Sequence, residues 1–153
     1  MQKITTFLWF DHEAEQAAAF YTSLFAGSRI VRVQRQGGEG AVMTVEFELA
    51  GQRFLALNGG PHFTFNEAVS LYVDCESQEE VDELWGKLTA DGGEESRCGW
   101  LKDRWGLSWQ IVPRRLPELL NDPDPDRARR ATEAMMGMQK IDLAAMEKAA
   151  AGG

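Results

Sequence analysis

Leu8-Trp9-Phe10-Asp11 is the stretch that decides the fold, because the chain carries a second version of it, Leu71-Tyr72-Val73-Asp74. Each version ends an apolar run and opens a segment with helical periodicity, which reaches Gly27 in the first case and Gly92 in the second. Strand-like segments follow both helices. The repeat therefore predicts two βαβββ modules, each with a sheet that must bury one face.

The first module shows strand and helix patterns in the order that the repeat requires. We expect Asp11 to cap the helix, because its carboxylate can accept hydrogen bonds from amides of the first turn. In the third strand, alternation places one apolar set on a single face: Met43, Val45, Phe47 and Leu49. The predicted elements are a strand over residues 3–10, a helix from Glu13 to Phe25, and strands near 30–35, 42–49 and 53–57.

The second module begins near Ala68, and Ser77 with Glu80 forms the capping-box pattern of a helix start. Two strands are expected within residues 98–113, on either side of an Asp-Arg-Trp-Gly turn. The tail then predicts two helices, Arg127–Met138 and Ile141–Ala151, folded back on the domain or on a second subunit. The prediction is one α+β domain over residues 1–153: module one over about 1–58, module two over about 67–113, and a helical C-terminal extension over about 114–151.

Composition limits the partners of this protein. A net charge of −8 supplies no basic surface that could displace the counterions of nucleic acid or bind an acidic membrane. No apolar run approaches the roughly 18–20 residues that span a bilayer, and the N-terminus lacks a signal-peptide pattern. Cys75 and Cys98 have no CxxC spacing, which fits two reduced thiols. We expect a cytoplasmic protein without nucleic-acid or membrane partners.

Five longer blocks, spread over nearly the whole chain, are Leu8–Asp11 with Phe20-Tyr21, Asn58–Phe63, Phe65–Glu67, Cys98–Asp103 and Trp109–Pro113. With them the chain resembles the vicinal oxygen chelate superfamily, also called the glyoxalase/bleomycin-resistance superfamily. Within it, the chain looks like the PhnB-like, demethylubiquinone methyltransferase-like family. The resemblance implies that the two modules form an open curved barrel around a cavity, and that the protein is a homodimer.

The same resemblance implies four metal-ligand positions, on the first and last strands of each module, where His and Glu are usual. Here they correspond to Thr6, to Leu57 or Asn58, to one of Val69–Leu71, and to Gln110. None of these side chains is anionic or an imidazole, and neutral oxygen ligands alone bind Mg²⁺ or Zn²⁺ poorly. The chain is therefore predicted to hold no metal and no cofactor.

The methyltransferase name of the family finds no support in the residues. Many methyltransferases bind S-adenosylmethionine at a glycine-rich turn between a strand and a helix. Here the glycine-rich segment Gly37-Gly38-Glu39-Gly40 links two predicted strands instead.

Two residues are candidates for catalysis. His62 lies in the loop between the modules, at the lip of the predicted cavity, where an imidazole could transfer a proton or orient a substrate. The alternative is a loop histidine bonded to backbone. Cys98 could act as a nucleophile if a nearby cation lowered its pKa, and Lys102 lies on the same strand face by parity. The alternative is an inert buried thiol.

Candidates for ligand binding come from both modules. Asn58 and Gln110 occupy metal-ligand positions, where their amides could bond a polar ligand, each other or a buried water. Phe63 and Phe65 are expected to line a pocket or to reach into a second subunit.

The second module adds Trp100 as an aromatic surface and Lys102 as a partner for an anionic ligand. The alternative for Lys102, Asp103 and Arg104 is a solvated turn. The complete predicted ligand-binding set is Asn58, His62, Phe63, Phe65, Trp100, Lys102 and Gln110.

Two functions remain open at this point. The first is a metal-independent module that holds a small, partly aromatic molecule in the cavity. The second is an enzyme in which His62, with Asn58 and Gln110 as polarising donors, carries proton or group transfer on a small organic substrate.

Overall fold

The computed structural model describes residues 2–153 and divides the chain into two compact units. The first unit ends at Phe65, and the second comprises Asn66–Gly153. Each unit contains one βαβββ module, as the repeat predicts, and the second also contains three C-terminal helices. Within residues 2–153 no helix is long and apolar enough to cross a membrane.

In the first unit, one helix packs on a four-stranded sheet. The elements are β1 (Thr6–Phe10), α1 (Ala14–Leu24), β2 (Arg29–Arg35), β3 (Val42–Leu49) and β4 (Gln52–Asn58). The sheet order is β1-β4-β3-β2, with β1 parallel to β4 and the other pairs antiparallel. The core lies between helix and sheet and contains Ala14, Ala17, Ala18, Tyr21, Val45, Phe47, Phe54 and Ala56.

The predicted apolar face of β3 is present, since Val45, Phe47 and Leu49 are buried, whereas Met43 at the strand's start is exposed. The predicted cap of α1 was wrong. The helix starts three residues after Asp11, at Ala14, and Glu13 in the cap position makes no side-chain cap bond. The amide of Ala14 donates to Asn58 Oδ1 at 2.8 Å instead, so the cap comes from the end of β4.

The module of the second unit has the same connectivity. Its elements are β5 (Ser70–Cys75), α2 (Gln78–Thr89), β6 (Glu94–Glu95), β7 (Trp100–Lys102) and β8 (Ser108–Pro113). The sheet order is β5-β8-β7-β6, with β5 parallel to β8. Ser77 caps α2 by accepting from the amide of Glu80 at 3.2 Å, and the Glu80 carboxylate accepts from the amide of Glu76 at 2.9 Å.

The C-terminal helices are α3 (Arg115–Leu120), α4 (Pro125–Met136) and α5 (Leu143–Ala150). The tail folds back on the second unit, and the first of its helices had not been predicted. The side chain of Gln78 bonds Ile141 O and the amide of Leu143, each at 2.8 Å. The three C-terminal helices share an apolar cluster with the end of β8, and its buried residues are Val112, Leu116, Leu119, Ala131, Ile141, Met146 and Ala150.

Candidate functional site

Strand register builds a polar row across the sheet of the second unit. Ser70 on β5 lies opposite Ser108 on β8, and Ser108 lies opposite Lys102 on β7. Lys102 in turn lies opposite Glu94 on β6. Because directly opposed residues on one sheet share a face, these four side chains form a single row.

A second row lies two residues along the same strands, on the same face of the sheet. Gln110 is opposite both Tyr72 and Trp100, and its amide Nε2 donates to Ser70 Oγ at 3.0 Å. Gln110 therefore connects the two rows. Three predicted site residues, Trp100, Lys102 and Gln110, are thus brought together on one sheet.

A cavity of about 190 Å³ opens beside the first row. Ser108 is only 1% exposed, and its hydroxyl has no hydrogen-bond partner within residues 2–153. A buried hydroxyl without a partner is uncommon, since buried polar groups are nearly always bonded. The residues that line the cavity include Glu67, Glu94, Glu95, Trp100, Lys102 and Ser108.

Charge in this cavity is predominantly negative. Lys102 Nζ lies 2.9 Å from Glu67 Oε1, and this pair lowers the pKa of Glu67 and raises the pKa of Lys102. Glu95 Oε1 accepts a hydrogen bond from Trp85 Nε1 at 2.6 Å. Glu95 lies opposite Leu101, so its side chain is on the other face of the sheet from Glu94 and Lys102. On the face of the polar row, two lining carboxylates, those of Glu67 and Glu94, thus accompany one ammonium group, which is already paired with Glu67.

Asp103 holds the turn between β7 and β8, and the alternative of a solvated turn is wrong for this residue. The residue is only 2% exposed. Oδ1 accepts from the amides of Trp105 and Leu107 at 2.9 and 3.1 Å, and Oδ2 accepts from Trp109 Nε1 at 2.9 Å. The turn fixes the register that sets Lys102 opposite Ser108. An Asp at the head of a turn that ends in Gly is the sequence signal that could have indicated this role.

In the first unit, Asn58 lines a cavity of about 460 Å³ together with His12, Glu15, Gln36, Thr44 and Leu57. Its amide is engaged at both ends. Oδ1 accepts from the amide of Ala14 at 2.8 Å, and Nδ2 donates to Val42 O at 3.1 Å. Asn58 thus ties α1 to the ends of β3 and β4, and its partners are backbone groups of its own unit.

The loop that carries His62 is held by aromatic contacts. Trp9 Nε1 donates to Gly60 O at 2.9 Å, and the Trp9 and Phe63 rings meet edge to face with centroids 4.9 Å apart. Phe65 packs against Phe10 with centroids 5.2 Å apart. Gly59 is required here because a Cβ at that position would overlap the Trp9 ring.

Exposure differs among the predicted residues of this loop. His62 and Phe63 are exposed, the latter at 66%, and Phe65 is half-buried. The roles of His62, Phe63 and Phe65 in binding or chemistry stay predictions.

Cys98 lies before β7 rather than on it, and its φ of +58° takes it out of strand conformation. The expectation that Cys98 shares a strand face with Lys102 was therefore wrong, because face parity holds only along an extended strand. The amide of Cys98 donates to Met138 O at 2.9 Å, and Sγ lies 4.0 Å from Met136 Sδ. The other cysteine, Cys75, is fully buried, and this burial raises the pKa of its thiol to about 12.

The residues at the expected metal-ligand positions do not fit a metal ion. Thr6 lies opposite Phe54, and Asn58 lies opposite Phe10, so Thr6 and Asn58 are four steps apart along parallel strands, roughly 13 Å. In the second unit Ser70 and Gln110 do meet, but both are neutral and bonded to each other. Within residues 2–153 no group of three or more His, Cys, Asp or Glu is placed to hold a metal ion.

Known proteins similar to this chain share its architecture. A sequence model of the family described as 3-demethylubiquinone-9 3-methyltransferase matches residues 2–112. Among solved structures, a PhnB protein from Bacillus cereus is 40% identical with a TM-score of 0.68, over 73% of this chain and 99% of that one. No curated protein sequence matched the chain.

Two more distant structures show the fold alone. Protein PA1353 from Pseudomonas aeruginosa is 16% identical with a TM-score of 0.60, over 74% of this chain and 98% of that one. The fosfomycin resistance protein FosX from Listeria monocytogenes, complexed with Mn(II) and sulfate, is 16% identical with a TM-score of 0.51, over 71% and 90%. The predicted glyoxalase-like fold is confirmed, and the match to the family model ends before α3–α5.

Proposed function

This chain belongs to the 3-demethylubiquinone-9 3-methyltransferase family of PhnB-like, glyoxalase-fold proteins, and we propose that it binds a small polar molecule without a metal ion. The site is the cavity of the second unit, beside the row that contains Ser108 and Lys102. The observation that carries the proposal is the buried Ser108 hydroxyl, which lines this cavity without a partner.

The energetics favour a ligand at this hydroxyl. Leaving a buried donor or acceptor unbonded costs about 1–3 kcal/mol, and a ligand that bonds Ser108 recovers that cost on binding. Trp100 and Gln110, next to the hydroxyl on the same sheet, supply an aromatic surface and an amide. Such a mixture of an apolar wall and few polar groups is typical of small-molecule sites.

The competing hypothesis is an enzyme that uses His62 for proton or group transfer. It requires Asn58 as a free polarising donor, and the hydrogen bonds of Asn58 to Ala14 and Val42 argue against that role. If an enzymatic activity is found, its dependence on His62 distinguishes the two hypotheses. If His62→Ala leaves kcat/KM unchanged, as His12→Ala is expected to do, His62 takes no part in the chemistry.

A thermal-shift screen of small polar molecules tests the binding proposal, because a ligand of the native state raises Tm by mass action. The protein is treated with EDTA and kept in EDTA throughout. We expect hits whose stabilisation weakens in Ser108→Ala and persists in Ser23→Ala, an exposed serine on α1 of the first unit. Hits that need added Zn²⁺, Mn²⁺ or Ni²⁺ would overturn the metal-free proposal. Hits that bind Ser108→Ala as tightly as wild type would remove this cavity from it.

We also propose that the protein is a cytoplasmic homodimer. Two apolar side chains on sheet-edge strands support association, since Phe7 on β1 and Tyr72 on β5 are each 54% exposed. Sedimentation at micromolar concentration tests the oligomeric state. A single monomeric species at that concentration would refute the dimer.

A further inference from the structure

We infer that the ligand of this cavity carries a small cationic amine, held between Glu94, Trp100 and Ser108. The inference rests on the proposed binding function of the same cavity and adds the chemical class of the ligand. Three independent features support it: the charge of the lining, the unpartnered hydroxyl and the size of the space.

The first feature is charge. With Glu67 bonded to Lys102 at 2.9 Å, the lysine's charge is neutralised within the cavity wall. The carboxylate of Glu95 accepts from Trp85 on the other face of the sheet. The carboxylate of Glu94 therefore leaves the row's face with a formal charge of −1 (two carboxylates against one ammonium group). Opposite charges attract and like charges repel at this range, even near a protein surface. The lining therefore disfavours an anionic ligand and favours a cation.

The second feature is the set of groups that a cation would meet. An ammonium group has three N–H donors and no acceptor, so it requires acceptors around it. The carboxylate of Glu94 and the free lone pairs of Ser108 Oγ supply two of them. The Trp100 indole, in the wall of the same cavity, offers the aromatic face that attracts cations. A neutral alcohol would satisfy Ser108 but would add no positive charge beside Glu94, whose cross-strand neighbour Lys102 is bonded to Glu67.

The third feature is size. The cavity holds about 190 Å³, which is space for about six water molecules at 30 Å³ each. An ammonium group with a short aliphatic chain fits this space. A bare metal ion is not supported, because residues 2–153 contain no suitable group of three or more His, Cys, Asp or Glu.

The test compares three probes of one shape and different charge: n-butylammonium, n-butanol and butyrate. Binding to the full chain is followed by NMR titration at pH 7 and constant ionic strength. We expect saturable binding of n-butylammonium, with the largest shifts near Ser108 and Trp100, and much weaker binding of the other two. Raising the salt from 0.15 to 1 M should weaken the ammonium probe, since screening reduces attraction between exposed charges.

Variants then test the residues. Loss of a charge-assisted hydrogen bond in Glu94→Gln is expected to weaken n-butylammonium binding about tenfold. Glu39→Gln, an exposed change of equal charge in the β2–β3 loop of the first unit, should leave it unchanged. Glu67→Gln is a second test variant, because it frees Lys102 from its ion pair. It should weaken the binding of n-butylammonium and strengthen the binding of butyrate. Urea unfolding of each variant confirms that it is folded.

Several outcomes would overturn the inference. Butanol that binds as tightly as butylammonium would remove the charge requirement, and butyrate that binds more tightly would reverse it. An equal loss in Glu94→Gln and Glu39→Gln would show a general charge effect rather than a site. Absence of n-butylammonium binding would also refute the amine class. Neutral hits in the metal-free screen that depend on Ser108 would still support the binding function, so the two proposals fail separately.

Discussion

Asp103→Asn is the substitution that most directly tests how the second unit is held together. The native carboxylate is buried and accepts three hydrogen bonds, from two backbone amides and from the indole of Trp109. Asparagine has almost the same shape, but one of its two terminal groups is a donor. If its oxygen keeps the amides of Trp105 and Leu107, its NH₂ group faces the indole N–H of Trp109, and two donors then meet.

The expected cost follows from this mismatch. A hydrogen bond to a charged group contributes about 1.5–3 kcal/mol, and a buried donor without an acceptor costs a similar amount. Losing the bond to Trp109 should therefore lower the free energy of unfolding by about 2–3 kcal/mol. Asp103→Ala removes all three acceptor contacts, and its expected cost is about 4–6 kcal/mol on the same principle.

Urea unfolding, followed by tryptophan fluorescence and circular dichroism, measures both values. With an m-value of about 2 kcal/mol/M, Asp103→Asn should lower the midpoint by about 1 M. Asp11→Asn, at an exposed carboxylate, is the matched control and should change the midpoint little. If Asp103→Asn unfolds at the wild-type midpoint, the buried carboxylate does not hold the turn in the way that its hydrogen bonds indicate.

Three further perturbations test separate parts of the structure. Gly99 and Gly106 both have φ near +87°, but only at Gly99 would a Cβ meet neighbours, at 3.1 Å from Ile141 and from a backbone oxygen. Gly106→Ala should lower the free energy of unfolding by about 1–2 kcal/mol, from backbone strain alone. Gly99→Ala should lower it by at least about 1 kcal/mol more, as measured by urea unfolding. Equal losses in the two variants would refute close packing of the tail against Gly99. Asn58→Ala should lower the free energy of unfolding by about 1–2 kcal/mol and speed hydrogen exchange at the amide it caps, and unchanged exchange would refute the cap. Burial raises the pKa of Cys75 to about 12, so the folded thiol holds its proton more tightly than the unfolded one. The stability that this provides is present below pH about 9 and is lost as the pH rises toward 12. Wild type should therefore lose stability over that range relative to Cys75→Ala. Parallel plots of unfolding free energy against pH for the two proteins would contradict this expectation.

The features that sequence could predict are those that repeat locally. Alternation over β3 and helical spacing over α2 both depend on neighbours a few residues apart, and both are present in the structure. The capping box at Ser77 is local in the same way, since its partner lies three residues ahead. Together with the repeat, these patterns were sufficient for the order of elements in both modules.

The features that sequence missed depend on contacts between distant residues. Asn58 caps α1 from 44 positions away, so the nearby Asp11 was the only visible candidate. The burial of Asp103 depends on Trp109 turning its indole toward it across the β7–β8 hairpin. Charged residues at turns are usually solvated, and only the tertiary position of Trp109 makes this one an exception.

The two modules also explain why the candidate site lies in the second. On the sheet of the first unit, each polar side chain of β3 has a partner on β2: Thr44 bonds Gln34 at 3.0 Å, Glu46 lies 3.7 Å from Arg32, and Glu48 lies 3.4 Å from Arg29. In these three pairs, the polar side chains of β3 and β2 are bonded to one another.

On the sheet of the second unit, the polar side chains of the row are not all paired with one another. Lys102 is paired, but Ser108 has no partner within residues 2–153, and the cavity beside it keeps an excess of carboxylates. The two sheets share one topology, and each has a buried polar atom without a partner within residues 2–153, Arg53 Nε in the first and Ser108 Oγ in the second. The Arg53 guanidinium is still bonded through Nη2 to Gln2 O and Thr5 Oγ1, whereas Ser108 has a single polar side-chain atom and that atom has no partner in the described part of the chain. A side chain that is already bonded has little to gain from a ligand, whereas a buried hydroxyl beside an excess carboxylate can gain a hydrogen bond and bring a positive charge next to that carboxylate. The same architecture, repeated within one chain, thus differs between its two sheets in how the polar residues of the strands are paired, and this difference is the reason that we propose the second sheet as the binding site.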